Sequence, residues 1–295
     1  MRKEVMTYMG SKVTNIMEKL VNQSVDRYYN PYKEFDWSND LPKDKLWMSP
    51  ELLSIKNVIP LESLEKGQLF ELSKWESLNF YSINVHGIRE LLISVLQHIY
   101  QPGFEEYSDY FSHFLGEENE HMWFFAQFCL RYEGEIMAYK GFRFGANHPP
   151  EVQKFITFSQ ILIFEEIGHF YNKFLMNDES LPDIVRQMNR VHYEDETRHI
   201  SMGKVLVEDF YKKLLQKKSK EKVIEIEQYL FRYIQFSLEG FYNPVCYKRA
   251  GFKAPLKLRN RLLEHPERKS FHRKVLRHTL HFFEERLGFS HENYL

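Results

Sequence analysis

Two histidines and a glutamate stand at helical spacing in the stretch His192-Tyr-Glu-Asp-Glu-Thr-Arg-His199. Positions three and four residues apart lie on one face of a helix, so His192, Glu196 and His199 would share a face. Imidazole and carboxylate groups are the ligand types that redox iron or manganese takes. From this stretch alone, a solvated charged stripe is the alternative, and Asp195 and Arg198 would suit it.

A second stretch of two acids followed by x-x-His occurs earlier in the chain. This stretch, Glu117-Glu118-Asn-Glu-His121, matches the last five residues of the first one. A single Glu-x-x-His pair is a weak signal, and a third pair, Glu166 with His169, can be a chance match. The order of the whole set therefore carries more information than any one pair.

Each of the two main pairs follows a lone glutamate. Glu90 stands 28 residues before Glu118, and Glu165 stands 31 residues before Glu196. Ferritin-like di-metal bundles use such a set, with one Glu from each of two helices and a Glu-x-x-His pair from each of the other two. The sequence thus predicts an all-α fold: a ferritin-like four-helix bundle core with additional helices and an irregular N-terminal segment.

Hydrophobic periodicity and breaker residues indicate where these helices lie. The four bundle helices are predicted over 61–100, 105–140, 151–176 and 183–215, and further helices over 222–239, 256–264 and 268–287. Residues 1–20 favour a short amphipathic helix or an arm. Prolines alternate with aromatic residues over 28–60, which favours a segment that wraps the bundle. We therefore expect an N-terminal arm over 1–60 and a single di-iron helical domain over 61–295.

Two candidate ligands have competitors close by in the sequence. Glu76 competes with Glu90, but it lies 42 residues before Glu118, which is too far for a short helix–loop–helix connection. Glu165 and Glu166 are neighbours, and neighbours on a helix point about 100° apart, so only one can point straight inward. Glu165 is favoured because it shares a face with apolar residues one and two turns earlier.

The acids that precede the two pairs, Glu117 and Asp195, are candidates for an outer layer of the site. A metal-bound imidazole usually donates its other N–H to a carboxylate, which fixes the tautomer and the ring orientation. Each acid could cross to the histidine of the other half, with Arg198 pairing one of them. Surface salt bridges along each helix are the alternative interpretation.

Composition narrows the function classes. The net charge of −1 and the pI of about 6.9 give no global field that would recruit nucleic acid or an anionic membrane. Two cysteines cannot make a disulfide framework, and no run of 18 apolar residues occurs. Residues 1–10 lack the apolar core of a signal peptide. We expect a soluble, cytoplasmic protein with no nucleic-acid or membrane partner, and the sequence also allows a homodimer.

The His192-x-x-x-Glu196-x-x-His199 motif adds a histidine that the common four-Glu, two-His bundles lack. With this addition the set resembles the p-aminobenzoate N-oxygenase family of non-haem di-iron oxygenases, whose sites carry three histidines and four glutamates. Weaker likenesses to the same family lie along the chain, at residues 30–37, 47–52, 86–90 and 243–247.

The resemblance implies a ligand set and a chemistry. The implied ligands are Glu90, Glu118, His121, Glu165, His192, Glu196 and His199. They would hold two iron ions, with manganese as an alternative, and the family oxygenates amines, often aryl amines, using O2 and two electrons. No flavin or nicotinamide fingerprint is present, so a separate reductase or ferredoxin is expected to donate the electrons.

Other functions share part of this pattern. A hydroxylase or desaturase acting on a C–H bond would use the same ligands, and a ferritin-like metal protein need not be an oxygenase. A radical-generating subunit needs a tyrosine beside the metal, and Tyr193 points off the ligand face. Trp123, Phe124 and Phe164 could line a pocket for a flat substrate, although aromatic residues at helical spacing more often form core.

Overall fold

The computed structural model describes residues 12–37, 40–139 and 148–290. This part of the chain is helical and contains no strand, which confirms the all-α prediction. Its α-helices are α1 Lys12–Asp26, α2 Pro31–Glu34, α3 Gln68–Leu96, α4 Ser108–Glu133, α5 Pro150–Asn177, α6 Asp183–Leu215, α7 Lys220–Glu239, α8 Pro244–Arg249, α9 Pro255–Glu264 and α10 Pro266–Leu287, with a 3-10 turn at Leu61–Ser63. None of the described helices is long and apolar enough to cross a membrane.

The four longest helices, α3 to α6, form the bundle that the sequence predicts. The most extensive helix contacts are those of α5 with α6 and of α3 with α4, and the two pairs meet through α4 with α6 and α3 with α5. Each pair is a helix–loop–helix unit that carries one half of the candidate ligand set.

Local signals fix the ends of these helices. The helix α4 ends at Gly134, whose φ of +72° lies in the left-handed region that glycine enters without steric cost. The helix α5 begins with Pro150, which lacks the N–H that would be unpaired at that position. Asn243 stands in the break between α7 and α8 and caps α8 by accepting a hydrogen bond from the Val245 N–H.

The N-terminal segment packs onto the bundle. The helix α1 lies against α4 and α6 and buries Met17 and Leu20. Farther along, the N–H groups of Trp47 and Met48 donate to Ser73 Oγ on α3, at 2.7 and 2.9 Å. Residues 1–11 of the predicted arm lie outside the described residues. The described residues from 28 to 37 and from 40 to 60 are mostly irregular as predicted, and the boundary at residue 60 stays a prediction.

A buried polar cluster ties this segment to α3 and to the C-terminal helices. The Ser54 N–H and hydroxyl both donate to the Glu76 carboxylate, and Tyr247 OH donates to Ser54 Oγ at 2.9 Å. Arg268, 2% exposed, reaches the carbonyl oxygens of this segment, including Leu53 O at 3.2 Å. Glu76 therefore belongs to a structural cluster. Burial raises its pKa to about 7, against the lowering effect of Ser54 and Arg268.

We expect Glu76 to make the stability of the fold pH-dependent. Its folded pKa of about 7 exceeds its ordinary value of 4.5, so protonated Glu76 stabilises the fold at low pH and this contribution is lost as the pH rises through 7. Glu76→Gln keeps a neutral group that can bond to Ser54. Between about pH 5 and about pH 8, the unfolding free energy of the native protein should fall relative to that of the variant by on the order of 2 kcal/mol.

Denaturant unfolding of the metal-free proteins measures this difference. Glu62→Gln, at an exposed position, is the control and should track the native protein at every pH. A constant offset between Glu76→Gln and the native protein from low to high pH would contradict the assignment.

Candidate metal centre

Four ionisable side chains meet between α4 and α6. One ligand atom from each of Glu118, His121, Glu196 and His199 lies within 4.8 Å of all the others. All four residues are at most 1% exposed. Each helix places its glutamate and histidine three residues apart, one turn along the same face, so the two faces need only oppose each other for the four groups to converge.

Several donor atoms in this cluster lack hydrogen bonds. His199 Nδ1 lies 2.8 Å from Glu118 Oε1, yet it has no hydrogen-bond partner among the described residues, and neither do Glu118 Oε2 and both carboxylate oxygens of Glu196. Buried polar atoms are otherwise nearly always paired. A bound cation would interact with the electron pairs of these closely spaced, unpaired nitrogen and oxygen atoms. The set of atoms therefore fits a metal ion.

The outer layer crosses between the two helices. His121 Nε2 lies 3.0 Å from Asp195 Oδ2 on α6, and His199 Nε2 lies 2.7 Å from Glu117 Oε2 on α4. Arg198 Nη2 donates to both of these carboxylates, at 2.7 Å to Glu117 Oε1 and 2.6 Å to Asp195 Oδ1. Each histidine thus turns Nε2 outward to a carboxylate and leaves Nδ1 facing the cluster, where it can bind a cation.

Charge balance in the cluster follows from these contacts. Burial lowers the pKa of His121, but Glu118 and Asp195 outweigh this effect and raise it to about 10. Burial and the neighbouring Glu118 raise the pKa of Glu196 to about 7. Burial opposes ionisation of Glu117, yet His199 and Arg198 lower its pKa to about 2. The metal-free cluster therefore holds protons that a cation must displace, and metal affinity should fall as the pH falls.

His192 lies at the edge of the cluster. It is 2% exposed, its ring centroid is 4.5 Å from that of His121, and its Nε2 is 2.9 Å from Glu196 Oε1. Its other ring nitrogen, Nδ1, contacts the side-chain amide of Asn172 on α5. Burial and the nearby His121 lower the pKa of His192 well below its ordinary value, so the ring is neutral.

The two neighbouring acids of α5 have different surroundings. Glu166 pairs with Lys204, with Nζ 2.6 Å from Oε1. Glu165 is 3% exposed, and its Oε1 has no hydrogen-bond partner among the described residues. Neither belongs to the four-residue group. The Oε1 atoms of both glutamates lack a hydrogen bond among the described residues, but Glu166 has the Lys204 ammonium as an ion-pair partner and no ion pair is found for Glu165.

The structure does not bring Glu90 into the cluster. Its side chain is 25% exposed and pairs with the adjacent Arg89 at 3.2 Å. On α3 the buried residues at this level are Gly87, Ile88 and Leu91, so Glu90 stands one step off the inward face. This placement differs from the prediction that Glu90 ligates a metal.

Two amides near the site were missed from the sequence. A Cβ built at Gly168 would lie 3.8 Å from both Asn84 Oδ1 and His192 Cε1, so both side chains border this glycine. Asn172 follows Glu165 by seven residues, two turns along the same face of α5. That spacing is a signal in the sequence, but a side-chain amide is not among the usual ligands of a redox iron or manganese.

Two tyrosines, Tyr193 and Tyr110, bear on the prediction that no tyrosine lies beside the metal. Tyr193 stacks on His169, with ring centroids 4.0 Å apart, so it lies off the ligand face as predicted. Tyr110 on α4 is fully buried, and its hydroxyl has no hydrogen-bond partner among the described residues. Burial raises the pKa of Tyr110, and both His199 and Glu117 act on it electrostatically. A tyrosine is therefore present near the cluster, on a helix where none was proposed.

The three aromatic residues that were predicted to line a pocket lie in different places. Phe124 packs 5.5 Å from the His121 ring, whereas Trp123 packs against Tyr32 of the N-terminal segment at 4.6 Å. Phe164 lines a small cavity between α3, α5 and α7. The other lining residues of this cavity are Phe80, Ile83, Asn84, Ile167, Gly168, Ser237 and Phe241.

Known structures share this fold. An R2-like ligand-binding oxidase mutant, reconstituted aerobically with a Mn/Fe cofactor, matches with a TM-score of 0.58 at 12% identity, covering 92% of this chain and 93% of that chain. An R2-like ligand-binding oxidase without metal cofactor matches with a TM-score of 0.52 at 14% identity, covering 90% and 96%. At such identities the likeness establishes the ferritin-like fold alone. No curated protein matches the chain.

A sequence-family model also matches most of the chain. The family model described as p-aminobenzoate N-oxygenase AurF matches residues 10–286, which span every bundle helix and reach the last turn of α10. Together with the buried Glu/His cluster, this match supports an oxidoreductase. The chain belongs to the p-aminobenzoate N-oxygenase AurF family.

Proposed function

We propose that this protein is a non-haem di-iron oxygenase that uses O2 and two external electrons to oxygenate the nitrogen of a small amine. The observation that carries the proposal is the buried cluster of Glu118, His121, Glu196 and His199, whose unpaired donors need a cation. Membership of the N-oxygenase family supports nitrogen as the target.

The proposed ligands start from this cluster. His192 joins through Nε2, which already lies beside Glu196 Oε1, and Glu165 joins through its unpaired carboxylate oxygen. Glu90 is left out, because its side chain is partly exposed and pairs with Arg89. A site of nitrogen and oxygen donors suits iron and also manganese, and one of the two similar R2-like oxidase structures was reconstituted with Mn/Fe. When bound, such metals supply the redox chemistry with O2.

The surrounding residues would hold the ligands and exclude water. Asp195 and Glu117 would fix the orientation of His121 and His199, and Arg198 donates hydrogen bonds to both carboxylates. Buried aromatic rings close the site. Phe114 packs on the His199 ring at 4.6 Å, and Phe125 packs on the His192 ring at 4.9 Å.

The cavity lined by Phe164 has a volume of about 10 Å³, room for roughly one water molecule, so it is a proposed substrate position only if the Phe164 ring moves. It abuts Gly168, and a Cβ at that position would lie 3.8 Å from His192 Cε1, so the cavity approaches the site from the His192 side. Most of its walls are apolar, and Asn84 supplies an amide oxygen that could accept a hydrogen bond from an amine. An aromatic amine would enter by displacing the Phe164 ring, which packs against Gly87.

Oxidation of a C–H bond is the second candidate. The same apolar walls could hold a hydrocarbon chain, with Asn84 and Ser237 as the polar side chains in the lining. Both reactions need electrons from outside the chain, since the sequence carries no flavin or nicotinamide fingerprint. An external reductase or ferredoxin is therefore part of the proposal.

Product analysis separates the two reactions. The iron-loaded, chemically reduced protein is mixed with isotopically labelled O2 and a panel of aryl and alkyl amines, and the products are identified by mass spectrometry. We expect label on nitrogen, in hydroxylamine, nitroso or nitro products. Label on carbon alone, or desaturated product, would establish the second candidate, and protein without added iron is the control.

The two neighbouring acids give a matched pair of variants for the metal site. Glu165→Ala should bind fewer than two metal ions per chain, because it removes an unpaired buried carboxylate that we assign as a ligand. Glu166→Ala should keep its metal, since Glu166 is already paired with Lys204. Elemental analysis of the reconstituted proteins measures both. The reverse pattern would move the ligand to Glu166.

His192 should matter more for reactivity than for metal retention. His192→Ala removes a neutral ligand at the edge of the cluster and leaves the four central residues in place, so most of the iron should remain while most of the product per iron is lost. His169→Ala is the control, because His169 stacks on Tyr193 outside the site. Iron content, melting temperature and product yield are measured together. An unchanged product yield per iron in His192→Ala would remove His192 from the ligand set.

A further inference from the structure

The neutral ring of His192 can carry its single proton on either nitrogen. Nε2 faces Glu196 in the cluster, and Nδ1 faces the side chain of Asn172. A metal ligand needs a free electron pair, so Nε2 can bind a cation only when the proton is on Nδ1. Whatever sets the position of this proton determines whether His192 can act as a ligand.

Asn172 lies where it can determine which nitrogen of His192 carries the proton. This residue is fully buried on α5, and its amide nitrogen contacts His192 Nδ1. An N–H group of the amide donates to a lone pair on Nδ1, which leaves the ring proton on Nε2. In the metal-free protein the contact thus favours the tautomer that cannot bind a cation through Nε2.

A half-turn of the same amide reverses this preference. It would bring Oδ1 to His192, where it accepts a hydrogen bond from Nδ1–H and leaves the electron pair of Nε2 free. Asn172 Oδ1 has no hydrogen-bond partner among the described residues, so the turn breaks no bond at the oxygen.

We infer that Asn172 is a positioning residue for His192 and that its amide turns over when a metal ion binds. The amide nitrogen faces Nδ1 in the metal-free protein, and the amide oxygen faces Nδ1–H in the metal-bound protein. No proton enters or leaves this pair, because the ring proton moves from Nε2 to Nδ1. The inference rests on the metal site proposed above, but it concerns a contact that can be observed without metal.

Two substitutions at Asn172 have opposite expected effects. Asn172→Asp presents only acceptor oxygens, so it should place the ring proton on Nδ1 in the metal-free protein and retain metal affinity. Asn172→Leu removes the contact, so the tautomer is no longer fixed. Metal affinity should then fall by roughly tenfold, the low end of the effect of losing an outer-shell partner.

Nitrogen NMR of protein labelled at histidine reads the tautomer directly, with His192→Ala to identify the signal. Zn(II) is the probe metal because it is diamagnetic, and titration gives its affinity. The native protein should show Nε2–H without metal and Nδ1–H with Zn(II). An affinity for Zn(II) and a His192 signal that are the same in Asn172→Leu as in the native protein would overturn the inference, as would an unchanged tautomer on Zn(II) binding to the native protein.

Asn189→Leu is the matched control. Asn189 is also a fully buried asparagine, one turn before His192 on α6, but its amide donates to Tyr81 OH and the Val185 carbonyl. It should lose stability without altering the His192 tautomer or the Zn(II) affinity. If the native protein binds no Zn(II), Fe(II) or Mn(II), the proposed metal site fails, while the metal-free spectra of Asn172→Asp and Asn172→Leu still test the contact itself.

Discussion

A carboxylate that stays ionised inside a helical bundle needs positive charge buried beside it, whereas one without such a partner takes up a proton. In this protein Arg198 provides that charge, at 5% exposure, and joins the two acids that orient the central histidines. Its Nε donates to Ser24 on α1 at 3.1 Å. The helix α1, which packs across α4 and α6, therefore covers Arg198 and its two acids as well as adding apolar contacts. The first helix is thus part of the site.

The sequence predicted those parts of the site that depend on spacing within one helix. Glu118 with His121 and Glu196 with His199 meet because each pair occupies one turn, and the crossed contacts of the preceding acids follow from the same register. The position of Glu90 depends instead on the rotation of α3. That helix is buried on most of its faces over its first half, so its apolar pattern does not fix which residue points inward.

The two halves of the bundle repeat in sequence but differ in chemistry. Four residues before its central glutamate, α6 carries His192, whereas α4 carries Phe114 at the equivalent position. Each ring packs edge-on against the histidine of the other helix, His192 on His121 at 4.5 Å and Phe114 on His199 at 4.6 Å. One side of the cluster therefore has an additional nitrogen donor, and the opposite side is closed by a hydrocarbon ring.

The groups that break the symmetry of the cluster lie on the side of His192. On α5, Glu165, Gly168 and Asn172 share the face that borders His192, and they provide a carboxylate, a gap without a side chain and an amide. Gly168 also lines the apolar cavity. If His192 ligates a metal as proposed, a substrate that entered from this cavity would meet that metal position first, while Phe114 lies on the opposite side of the cluster. The extra histidine, its amide partner and the cavity therefore lie on the same side of the cluster.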